Sequence, residues 1–94
     1  MSPQPYKTTP VFDQDSLPDA IRTEHRTKPG TWGLLRVLEG CATLIFTDPR
    51  RSVAVRPESP AEIPPQATHY VQLEGLVRLQ VEFYLEQPLG DDRP

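Results

Sequence analysis

The residues best suited to chemistry in this chain are its two histidines, His25 and His69. Imidazole titrates near neutral pH, and its neutral form is the commonest side-chain metal ligand. The two lie far apart in sequence, so no local motif joins them and only the fold can bring them together. His69 stands in "IPPQATHYVQL" (63–73), just past Pro64 and Pro65 and at the start of an alternating apolar run. In "THYVQLEG" (68–75), His69, Val71 and Leu73 share one face. In "AIRTEHRT" (20–27), Ile21, Thr23 and His25 share one face, while Arg22, Glu24 and Arg26 take the other. This period-two pattern predicts that both histidines face inward. Two neutral imidazoles converging there need one more donor to hold Zn, Fe, Ni or Mn. The simpler alternative is a pair of hydrogen-bonded core residues.

Other reactive side chains carry less. Cys41 is the single cysteine, which excludes an internal disulfide and a cysteine-based zinc site. It has no neighbouring base to activate it and reads as a small packing residue. Lys28 and Arg36 suit either a rim facing an anion or ordinary surface and hairpin positions. Trp32 and Phe46 read as core packing. The sequence has no glycine-rich phosphate loop, no nucleophile elbow and no Cys-x-x-Cys motif.

The elements that must position the histidines are short strands. The 94 residues fit one domain, residues 1–94. Twelve prolines exclude long helices and most central strand positions. Residues 1–10 read as an extended arm and 87–94 as a frayed tail. "DSLPDAI" (15–21) is the one helical turn, with Ser16 as cap and Pro18 in the first turn. "TWGLLRVLEGCATLIF" (31–46) is the most hydrophobic stretch, broken at Glu39-Gly40; a hairpin there would pair 31–38 with 41–47. Further strands are expected at 53–57, 61–64, 68–75 and 76–85. In the last, Val77, Leu79, Val81, Phe83 and Leu85 form the apolar face. Short antiparallel strands with frequent turns predict an all-β sandwich or small barrel.

A net charge of −3 disfavours nucleic acid as a partner, because phosphate binding needs a basic face. No apolar run approaches the ~20 residues of a membrane span. "MSPQPYKTTP" holds no apolar export core, which predicts a cytoplasmic protein.

"YKTTPVFDQDSLPDAI" (6–21), "HRTKPGTWGLLRVLEG" (25–40) and "IPPQATHYVQL" (63–73) together resemble the TehB/YeaR-like small cupin domain, associated with tellurite-resistance protein B. The resemblance runs from about Tyr6 to Leu85. It implies a small antiparallel jelly-roll β-barrel with a divalent metal inside. His69 matches the histidine of the second cupin motif, and His25 the first histidine of motif one. The second histidine of motif one would fall near Thr27, and its glutamate near Gly33 or Leu34, so motif one is degenerate. The family likeness points to Glu82 as a third ligand. Strict alternation puts Glu82 on the face opposite Val81 and Phe83, so a bulge or an inverted strand would be required. The implied roles are a metal- or small-ligand-binding module in tellurite or oxyanion stress, a non-haem-metal dioxygenase, or a metal-free interaction module. The implied partners are a second copy in a homodimer, a small molecule or oxyanion, and a methyltransferase.

Overall fold

The computed structural model describes residues 3–89. The expectations for residues 1–2 and for the tail from residue 90 lie outside the described residues.

The strands are β1 (Lys7–Thr8), β2 (Phe12–Asp13), β3 (His25–Arg26), β4 (Trp32–Glu39), β5 (Ala42–Thr47), β6 (Arg50–Val55), β7 (Ala61–Ile63), β8 (Thr68–Leu73) and β9 (Arg78–Tyr84). One helical turn, α1 (Asp19–Arg22), sits between β2 and β3. The chain is therefore all-β, as its period-two patterning predicts.

The strands form two antiparallel sheets and do not close into the expected barrel. One sheet runs β1-β9-β4-β7, with β2 also pairing β9; the other runs β3-β8-β5-β6. The predicted hairpin at Glu39-Gly40 is not a hairpin. β4 pairs with β9 and β7, whereas β5 pairs with β6 and β8. The chain crosses from one sheet to the other at Gly40, whose φ is +80°. A Cβ at Gly40 would stand 2.3 Å from the Leu76 carbonyl oxygen, so the β8–β9 connection packs directly against this crossing. A glycine at a strand break signals a tight change of direction, but not whether the flanking strands pair. Here both strands carry core faces that serve opposite sheets.

Those faces make the core. Leu35, Val37, Leu79 and Val81 on one sheet meet Leu44, Phe46, Val55 and Val71 on the other. Leu85, expected on the apolar face of the last strand, lies beyond β9 and is exposed. The helical turn begins two residues later than its sequence suggests. Pro18 occupies the N-cap position without a side-chain cap bond. Ser16 instead accepts a bond from the Asp13 amide and closes the preceding turn.

Candidate functional site

β3 and β8 pair antiparallel with His25 directly opposite His69. A two-residue strand is a weak element alone, but its register is fixed here by the pairing on β8. It sets the two imidazoles side by side, with ring centroids 4.2 Å apart and planes tilted by 56°. Both histidines are thus brought together on inward faces, as the alternation predicts. His69 is 4 % exposed.

Each ring is anchored the same way. His25 Nδ1 bonds the Thr23 carbonyl at 2.9 Å, and His69 Nδ1 bonds the Ala67 carbonyl at 2.7 Å. A carbonyl oxygen only accepts, so each Nδ1 carries the proton. In the neutral ring Nε2 then bears the free lone pair. This is the arrangement in which metal-binding histidines are ordinarily held, the far nitrogen tied to a backbone carbonyl or carboxylate. Burial pushes the His69 pKa below its usual value; the Ala67 carbonyl opposes that shift, and the neighbouring His25 adds to it. His69 is therefore neutral at pH 7.

Both rings line a cavity of about 380 Å3 between the two sheets. Its apolar wall comes from Leu35, Ile63, Val71, Val81 and Phe83. Gly33, on β4 between Ile63 of β7 and Phe83 of β9, brings no side chain to that wall. Exposed Lys7, Arg26 and Lys28 contribute to the lining, and among the described residues no acidic one does. Thr27 lines it too, and its hydroxyl is buried without a hydrogen-bond partner.

A model of the TehB-like domain matches residues 7–81. The chain belongs to the TehB-like domain family. Proteins from two strains of Haemophilus influenzae, each described as a probable S-adenosyl-L-methionine-dependent methyltransferase TehB, are 51% identical to it over 35 residues, covering 37% of this chain and 12% of theirs. The crystal structure of Haemophilus influenzae TehB superimposes with a TM-score of 0.77 at 34% identity, over 88% of this chain and 31% of TehB. The chain thus spans less than a third of that relative. A crystal structure of an Escherichia coli K12 protein gives a TM-score of 0.78 at 17% identity, over 88% of this chain and 90% of that one, a likeness of fold alone.

Glu82, the third candidate ligand of the TehB-like domain, is not brought to the histidines. β9 keeps its alternation, so Val81 and Phe83 line the cavity while Glu82 points to the outer face of its sheet. There it accepts from Arg36 Nε at 2.9 Å and from the Tyr84 hydroxyl at 2.7 Å. No bulge intervenes between Trp32 and Val37, the stretch of β4 that pairs with this part of β9. The pairing with Glu82 raises the Arg36 pKa, and burial first and Glu82 second raise that of Tyr84. Arg36 is therefore an ion-pair partner rather than a rim charge. Lys28 does reach the cavity. Among the described residues no group of three or more His, Cys, Asp or Glu side chains could hold a metal. The two-histidine, one-carboxylate set expected from resemblance is thus not assembled from these three residues.

Sequence reasoning missed the Thr27 hydroxyl and the contribution of the N-terminal arm. Tyr6, Lys7 and Thr9 border the cavity because β1 pairs with β9. Thr27 shares the face of His25 by simple alternation, so its place was readable. That its hydroxyl has no partner was not, since this depends on what surrounds it.

Proposed function

We propose that this TehB-like domain is a small-ligand-binding module whose cavity holds a divalent metal ion at His25 and His69. One observation carries the reading: both rings commit Nδ1 to a backbone carbonyl and keep Nε2 free, side by side in the same cavity. Two imidazoles suit Zn, Fe, Ni or Mn. With only two protein ligands, most coordination positions fall to water or to an incoming molecule. The ion would exchange readily and supply Lewis-acid polarisation to whatever joins it. Because the relatives are described as probable methyltransferases, we assign the domain an accessory role beside such an enzyme, in the response to tellurite or related oxyanions.

The test is equilibrium dialysis of untagged protein against buffered Zn(II) or Fe(II), with the excess metal on the protein side read by mass spectrometry. Wild type should take up about one metal per chain. His25→Ala and His69→Ala should each lose it, while Glu82→Gln should keep it. A wild type that stays empty with both metals overturns the metal site.

A further inference from the structure

The cavity has an unusual charge balance for a pocket in an acidic protein. The whole chain carries −3, yet among the described residues three cationic side chains and no carboxylate line the cavity. The cations are exposed and mark its mouth; Leu35, Ile63, Val71 and Val81 are buried and mark its floor. On the β4 side of the wall Ile63 packs over Gly33: a Cβ there would meet the Ile63 side chain at 3.3 Å and press it toward the cavity. A cavity of about 380 Å3 lies in the range of small-molecule sites, whose walls are mostly apolar with a few polar groups that fix orientation.

We propose that the cavity binds a small organic monoanion, a carboxylate bearing one compact apolar group. The carboxylate lies at the mouth, near Lys7, Arg26 and Lys28. The apolar group lies on the floor against Leu35, Val71 and Val81. A bare inorganic oxyanion fits less well, because it would leave the apolar floor uncovered and gain nothing from it. A neutral analogue would forgo the cationic mouth. The inference names the ligand class for the cavity of the preceding reading, but it does not require the metal.

The experiment is calorimetric titration of the full chain, once stripped with EDTA and once loaded with Zn(II). The probes are benzoate, its neutral counterpart benzamide, and tellurite. Benzoate should bind in both preparations and benzamide should bind at least tenfold more weakly. The double variant Lys7→Glu/Lys28→Glu, at two exposed positions, should weaken benzoate by about tenfold while leaving benzamide unchanged. Gly33→Ala should weaken benzoate without altering the charge dependence. Equal binding of benzoate and benzamide overturns the anion, and binding of tellurite without benzoate overturns the apolar group. Metal uptake without benzoate binding sinks this inference alone. Benzoate binding by a protein that takes up no metal supports it and sinks only the metal site.

Discussion

At the scale of single residues, His69 joins fold to chemistry. It is buried and held neutral, and its lowered pKa makes a definite statement about stability. The unfolded chain takes up a proton at an imidazole pKa near 6.5, while the folded chain resists it until a lower pH. Stability is therefore full above about pH 6.5 and declines as pH falls toward the folded value. In metal-free protein the urea midpoint should drop between pH 7 and pH 5, and His69→Gln should flatten that drop. A wild-type midpoint unchanged across this window would show that His69 protonates freely in the folded state. The inward direction of both histidines was legible from alternation alone. So was the outward direction of Glu82, and there the alternation deserved more weight than the family likeness. The meeting of the two rings was not legible, because it depends on a long-range register between β3 and β8 that no local pattern encodes.

At the scale of elements, most strands stand where apolar alternation puts them, and their pairing is what the sequence concealed. β4 and β5 are adjacent in sequence and equally apolar, yet they belong to different sheets. The glycine between them reads equally well as a hairpin turn or as a sheet-to-sheet crossing. The distinction lies in what Gly40 touches, the backbone of Leu76. This separates Gly40 from Gly30, which also has a positive φ but open space around its Cβ position. Gly30→Ala should cost about 1 kcal/mol for its backbone conformation alone. Gly40→Ala adds a clash with backbone that no side-chain rotation relieves, and should cost at least about 2–3 kcal/mol. Urea unfolding of the two variants checks the order. Equal losses would mean that the β8–β9 connection moves aside easily and does not anchor the crossing.

At the scale of the whole molecule, the N-terminal arm links stability to the cavity. The described residues have a radius of gyration of 12.6 Å, close to the ~13 Å of a compact 100-residue domain. A chain of this size has a modest core, so peripheral pairings weigh heavily in its stability. Beside the β1–β9 strand pairing, four bonds join the arm to β9 among the described residues: Tyr6 N–H to the Phe83 carbonyl, Thr9 N–H to the Val81 carbonyl, Val81 N–H to the Thr9 hydroxyl, and Gln80 Nε2 to the Thr9 carbonyl. The same arm brings Tyr6, Lys7 and Thr9 to the cavity. Removing residues 1–10 should therefore do three things together. It should lower stability by at least about 4 kcal/mol, near 1 kcal/mol for each of these bonds. It should weaken benzoate binding, because Lys7 and one wall of the cavity are gone. It should also bare the outer edge of β9 from Val81 to Phe83, and an unpaired strand edge invites pairing with another chain. Urea unfolding followed by Trp32 fluorescence reads the first effect, calorimetry the second and sedimentation velocity the third. An unchanged urea midpoint with unchanged benzoate affinity would show that the arm is a loose extension and that the two sheets alone define the pocket.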